Sequence, residues 1–237
     1  MARLSPSPTA FIHVDVDGLW AVRACYGRPE GDSFRQDLCW TEGLPVARDI
    51  VERENAKAAF FLAGRDLKLA SKRRMAREIA AAGHELANHS YSHHLGFNAL
   101  PPERVRAEIE RTNRLFERAG LLRPSGFRAP GYSSSGPVRR AVANAGMQYD
   151  ASLLATWLTY PLRAMDAFAA GRFDPRKRQF GRLRDALASR YPHPREGIWE
   201  VPVTTFGLAG WPLTGAAIFA FGAPSIVRAL EKLIRRK

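Results

Sequence analysis

The run Ala10-Phe11-Ile12-His13-Val14-Asp15-Val16-Asp17-Gly18 constrains this chain more than any other. An apolar, β-branched stretch that ends in two aspartates and a glycine predicts a buried strand entering a loop. In a parallel sheet or barrel such a strand carries Asp15 and Asp17 to its carboxyl end, where α/β enzymes keep their chemistry. An Asx-turn closing the strand accounts for the same residues more plainly. Alternation places His13 on the same side of the strand as Asp15 and Asp17, within reach of a supporting role.

Strand and helix signals alternate after this run. Residues 19–43 form a long mixed segment containing Trp20, Tyr26, Phe34 and Trp40, and connections of that length inside a compact domain are often functional. Leu44–Glu54 reads as a helix with Leu44, Ala47, Ile50 and Val51 on one face, and Ala58–Leu62 as a short buried strand. Asp66 is placed to cap a helix running to Ala82, which Gly83 stops, and His84–Ala87 reads as the third strand. Pro101 and Pro102 open the clearest helix: Val105, Ile109, Thr112, Leu115, Phe116 and Ala119 repeat at spacings of three and four, and Gly120 ends it. Gly126–Pro130 and Met147–Ser152 read as strands flanking a helix at Pro137–Ala145, and Trp199–Val203 as a late strand. Residues 161–195 carry no clear pattern. The alternation predicts an α/β fold of parallel strands with helices outside. Its 237 residues suit one domain, 1–237, with the informative motifs at about 9–205.

Four of the six histidines fall within residues 83–94. His89 and His93 are four apart, so on one helical turn their rings point the same way. Two neutral imidazoles can take two positions in a divalent ion's shell, at roughly 2.0–2.1 Å for zinc. One upstream aspartate then completes an Asp-His-His site. A polar loop whose histidines are satisfied by backbone carbonyls is the plainer alternative. His84, at a strand start, suits a structural role; His94 suits the surface, and His193 lies between two prolines.

Lysine and arginine exceed aspartate and glutamate by 36 − 23 = +13, which favours anionic surroundings. Nucleic acid is not expected, because the basic residues are scattered and interrupted by acidic ones. An anionic membrane face or a phosphate-bearing substrate fits the charge equally well. Cys25 and Cys39 make neither a disulfide framework nor a Cys-x-x-Cys metal site, and read as a reduced pair. The first eight residues lack the apolar core of a signal peptide, and no apolar stretch reaches the roughly twenty residues of a membrane span. The expected location is the cytoplasm, with peripheral contact at the inner membrane face.

Taken together, Asp15-Val16-Asp17, His89-Ser90-Tyr91-Ser92-His93, Arg128-Ala129-Pro130-Gly131-Tyr132, and Asp150 with Trp157 resemble, in order and spacing, four motifs of the polysaccharide deacetylase family. This is the NodB-homology domain, or carbohydrate esterase family 4. The first motif is of the Asp-x-Asp type. The resemblance implies a distorted (β/α) barrel with fewer than eight strands. It also implies a metal-dependent hydrolase that removes acetyl or formyl from the nitrogen of an amino sugar, lipid-linked in some relatives.

By the same resemblance Asp17, His89 and His93 hold one divalent metal ion, most readily zinc, and Asp15 is the general base. Arg128 pairs with that base, keeping it ionised and oriented. The backbone N–H of Gly131 steadies the oxyanion, Tyr132 lines the pocket, and Trp157 forms a wall of the acyl pocket, with core packing its alternative. Asp150 orients the histidine of a fifth motif, Leu-x-His, which this sequence lacks; the chain stops about where that strand is expected, so either it is truncated or another group supplies the proton. A relative acting on a cyclic imide or ureide, and a catalytically silent module that binds sugar or anionic lipid, are the alternative readings.

Overall fold

The computed structural model describes residues 10–157, 187–207 and 210–235. Its framework is a seven-stranded sheet in the order β1-β2-β3-β4-β5-β7-β6. The strands are β1 (Ile12–Val16), β2 (Ala58–Leu62), β3 (Glu85–Asn88), β4 (Gly126–Phe127), β5 (Tyr149–Asp150), β6 (His193–Arg195) and β7 (Ile198–Glu200). All pairings are parallel except β6 with β7. Helices α1 (Leu19–Cys25), α2 (Leu44–Arg53), α3 (Ala70–Ala81), α4 (Pro102–Arg118) and α5 (Gly136–Asn144) alternate with the strands. Toward the C-terminus come a small hairpin of β8 (Thr205–Phe206) and β9 (Trp211–Pro212), then helices α6 (Gly215–Phe221) and α7 (Ala223–Ile234). The α/β fold, with seven strands in its main sheet, agrees with expectation, β1 and β6 being the outermost strands of that sheet. No helix among the described residues is long and apolar enough to cross a membrane.

The two faces of the sheet are chemically unlike. On one face Val16, Phe60, Leu62 and Leu86 pack against Trp40, Leu44, Val51, Ile79 and Phe116 from the helices. Further along, Phe127 joins Val105, Ile109, Val138 and Val142 of α4 and α5. The other face carries a smaller cluster of Ala59, Phe61, Ala87 and Ala151, with Tyr149 and Val201 against it. In β1, His13 and Asp15 are in register with Ala59 and Phe61, so they belong to this second face. Small side chains there leave room for polar groups above them.

Segment 19–43 is ordered by a buried ion cluster. It folds as α1, a 3₁₀ turn (Gly31–Phe34) and a π-helical turn (Cys39–Gly43) that runs into α2. Lys72 on α3 reaches Asp37 at 2.5 Å and Asp66 at 2.6 Å, all three side chains being buried. The expectation that Asp66 caps the following helix is corrected here. Asp66 accepts from the indole N–H of Trp20 at 2.8 Å and from Lys72, and α3 starts at Ala70 without a side-chain cap. Burial pushes the Asp66 carboxyl up, and Lys72 opposes that. The pattern-poor stretch 161–195 lies largely outside the described residues.

Candidate metal centre

The loop after β3 does not form the helical turn that the spacing of His89 and His93 suggests. Residues 89–94 are irregular, and Ser90 (φ 61°) and His93 (φ 51°) both adopt left-handed backbone. Such conformations persist only where the surroundings enforce them. Asn88 Oδ1 accepts from Ser90 N–H at 2.8 Å, while its amide donates to Ile109 O and Asn113 Oδ1. Glu108 Oε2 accepts from Tyr91 N–H at 3.1 Å, Ser92 N–H at 2.7 Å and Ser92 Oγ–H at 3.0 Å. Neither Asn88 nor Glu108 stood out as a site residue in the sequence. The signal for Glu108 was there: a carboxylate between Val105 and Ile109 on the buried stripe of α4.

On the β1 side, Asp17 follows the strand directly, and Gly18 lets the chain turn beneath segment 19–43. A Cβ at Gly18 would come within 2.4 Å of the Trp20 ring and 2.8 Å of the Asp37 carboxylate. Asp17 Oδ1 lies 3.2 Å from His89 Nε2 and 3.0 Å from His93 Nε2, and the three ligand atoms lie within 4.8 Å of one another. Asp17 Oδ1 and His93 Nε2 are closed off from solvent without hydrogen-bond geometry to any described partner. His89 Nδ1 meets the carbonyl of Arg128 at 2.7 Å, so it donates there and leaves Nε2, which faces Asp17, as the nitrogen open to a proton or a metal.

The electrostatics favour a cation at this point. Burial alone raises the Asp17 carboxyl, yet His89 and His93 outweigh it and hold the group well below the ordinary carboxylate range. Burial likewise disfavours charge on both imidazoles, but Asp17 prevails and raises them. Two imidazole lone pairs and one carboxylate, in a partly buried cluster that attracts positive charge, fit a divalent metal.

Beside this cluster lies a second one. Arg128, just beyond β4, donates from Nη1 to Asp15 Oδ1 at 2.7 Å and from Nε to Ala151 O at 2.8 Å. Its Nη2 is 2.7 Å from His13 Nδ1, and its guanidinium lies over the Phe61 ring. Two residues on, Pro130–Tyr132 forms a tight turn in which Gly131 (φ 59°) and Tyr132 (φ 58°) are both left-handed, with the Tyr132 ring 5.5 Å from the Arg128 guanidinium.

The structure thus brings Asp15, Asp17, His89, His93 and Arg128 to one place, with Gly131 and Tyr132 adjoining. Asp150 lies elsewhere. It is in register with Phe127, whose side chain enters the helix layer, so Asp150 is on the opposite face from Asp15. There its carboxylate bonds Ser134 and Ser152 and lies beside Glu200, Arg139 offsetting part of their charge. Trp157 is 52% exposed, which excludes core packing for it. His84 is structural, its Nδ1 accepting from Ala58 N–H, and His94 is exposed. Cys25 and Cys39 are free thiols. Cys25 lies near enough to His93 to bear on its charge, a neighbour the sequence did not suggest.

Fold and site together define an α/β protein with an Asp-His-His cluster that could hold a metal ion, above a mostly parallel sheet. The model of the family described as polysaccharide deacetylase matches residues 35–149, which include His89, His93 and Arg128. Over these residues, just under half of the chain, the sequence is similar to the polysaccharide deacetylase family. It is 32% identical to the uncharacterized protein YlxY of Bacillus subtilis over 111 residues, which are 46% of this chain and 33% of YlxY. The chain thus matches about a third of that relative. A Mycobacterium smegmatis structure described as a polysaccharide deacetylase superposes with TM-score 0.62 at 20% identity, covering 98% of this chain and 77% of that one. BA3943 of Bacillus anthracis, a CE4 family pseudoenzyme, superposes with TM-score 0.50 at 20% identity, covering 96% and 62%. At these identities the two structures establish the shared fold.

Proposed function

We propose that the chain is a metal-dependent hydrolase that removes an acetyl or formyl group from the nitrogen of an amino sugar. The observation that carries this reading is the convergence of Asp17, His89 and His93 beside the Asp15–Arg128 pair. Asp17, His89 and His93 would hold zinc. Bound zinc supplies Lewis-acid polarisation of the acyl carbonyl and acidifies water. Asp15 accepts the proton of the attacking water, and Arg128 keeps its carboxylate aimed. The backbone N–H of Gly131 donates to the oxygen that gains charge, and Tyr132 borders the same pocket. The proton taken up by Asp15 is then at hand for the leaving nitrogen.

A lipid-linked sugar is the finer form of this reading. Phe219 is 95% exposed, and Ile218, Phe221, Val227 and Ile234 are exposed on α6 and α7, with Arg228 and Lys232 alongside. Apolar and cationic side chains in one neighbourhood suit an anionic lipid headgroup region. A second reading, a silent module that binds sugar or anionic lipid, is favoured by the fold shared with BA3943, a CE4 family pseudoenzyme.

The deciding experiment incubates zinc-loaded protein with N-acetylglucosamine oligomers and an N-formyl amino sugar and assays acetate and formate. Release that disappears in His89→Ala supports the hydrolase. Binding of the oligomers with no acid released favours the silent module. Hydrolysis of hydantoin-like rings, with the sugars untouched, would transfer the same centre to a cyclic imide or ureide.

A further inference from the structure

We infer that His13 is a positioning residue, whose unprotonated Nδ1 fixes the Arg128 guanidinium so that it holds Asp15 in one orientation. The inference rests on the proposed role of Asp15 as base and adds a residue that no motif contains. Arginine has donors and no acceptor. At 2.7 Å from Arg128 Nη2, His13 Nδ1 must therefore be the acceptor, which leaves the ring proton on Nε2.

The guanidinium is thereby held at three corners. Nε is held by Ala151 O just beyond β5, and Nη1 and Nη2 by Asp15 and His13, two residues apart on β1. With Nη2 unoccupied, the plane is free to rock about its remaining contacts and the Asp15 carboxylate rocks with it. The His13 ring is itself fixed by the edge of Phe61, at 5.2 Å between centroids, and by stacking on Tyr149 at 6.3 Å. Burial, and then the charge of Arg128, lower the imidazole to about 4, against a smaller opposing effect of Asp15, so the acceptor persists at neutral pH. A hydrocarbon side chain would fill this aromatic niche equally well; what it would lack is the acceptor.

That difference is the test. His13→Leu removes the acceptor, while His13→Asn puts an amide oxygen near the place of Nδ1. On the zinc-loaded full chain, His13→Leu is expected to lower kcat about 10- to 100-fold, as small misplacements of catalytic groups do, with KM within about twofold. Metal content stays unchanged, and His13→Asn recovers most of kcat. Equal losses in the two variants, or full kcat in His13→Leu, would overturn the inference. A second measurement needs no activity: ¹⁵N spectra of histidine-labelled wild-type protein at neutral pH should show His13 protonated on Nε2 and bare on Nδ1. A protonated Nδ1 overturns the inference whatever the kinetics. The expected tautomer in a protein that hydrolyses none of the acyl sugars would instead overturn the proposed function and leave the His13–Arg128 contact standing.

Discussion

Arg128 Nη1 donates to Asp15 Oδ1 at 2.7 Å across 113 positions of sequence, with the arginine side chain 5% exposed and the aspartate 24%. The pair spans two intervening strands, since β2 and β3 lie between β1 and β4. Phe61 of β2 offers its ring face to the guanidinium at 4.4 Å, and Ala87 of β3 is small enough to leave the passage open. The contact ties one end of the sheet to its middle, directly beside the three candidate ligands.

Metal binding is the first expectation. Full-length protein should take up about one equivalent of zinc, and His89→Ala or His93→Ala should abolish uptake. Zinc at about 100 times its Kd should stabilise the fold by about 2.7 kcal/mol. Metal analysis and thermal melts with and without chelator check both, and identical melts would remove the site.

The two aspartates should separate. Asp15→Asn is expected to retain zinc and lose about 10²–10⁴-fold in kcat, because an amide does not take the proton of water. Asp17→Asn should weaken the metal instead, since a charged oxygen facing two imidazoles becomes neutral. Metal content beside kcat for each variant decides, and the reverse pattern would exchange their roles.

Glu108 should control the histidine loop from a distance. One carboxylate oxygen serves three donors of Tyr91 and Ser92. Glu108→Ala should destabilise the protein by about 2–4 kcal/mol, given the cost of leaving buried donors unpaired. It should also loosen zinc about 10- to 100-fold, as lost support of ligands does. Glu108→Gln, which keeps an acceptor, should be milder on both counts. Denaturant titration with metal-binding isotherms provides the check.

Glu200 should make the fold less stable in alkali. Burial, then the neighbouring Asp150, push its carboxyl up to about 9, with Arg139 offsetting part. The folded chain therefore holds a proton that the unfolded chain releases near 4.5. Stability from this group is complete below about pH 4.5 and is lost as pH rises through about 9. Glu200→Gln, neutral at every pH, should flatten that decline and melt above wild type at pH 9. Melting temperatures from pH 5 to 9 check the slope, and parallel curves would mean that Glu200 is charged in the folded state.

Local pattern was enough to reveal much of the framework. The apolar run ending at Val16, the five residues of β2 and the three-four spacing along α4 are each visible within a dozen residues, because burial of one face imposes its period on neighbouring positions. The spacing of His89 and His93 was equally visible as a candidate ligand pair, and the family resemblance singled out Asp17 as the third. What sequence alone misjudged is how those residues meet. His89 and His93 suggested a helical turn, and the chain instead takes a left-handed loop because Asn88 and Glu108 supply its hydrogen bonds from outside it. Asp66 suggested a cap and became one of two carboxylates in a buried ion cluster, because Lys72 and Trp20 converge on it from other elements. Asp150 sits on the far face because a one-residue change of register sends a side chain to the other side of a strand, and only two residues of β5 are paired to show it. Periodicity is local information. The partners of a buried polar group are decided by strand register and loop closure over tens to more than a hundred residues, so tertiary structure alone could place His13 on Arg128, whereas the Asp15–Arg128 pair was anticipated only through the family resemblance.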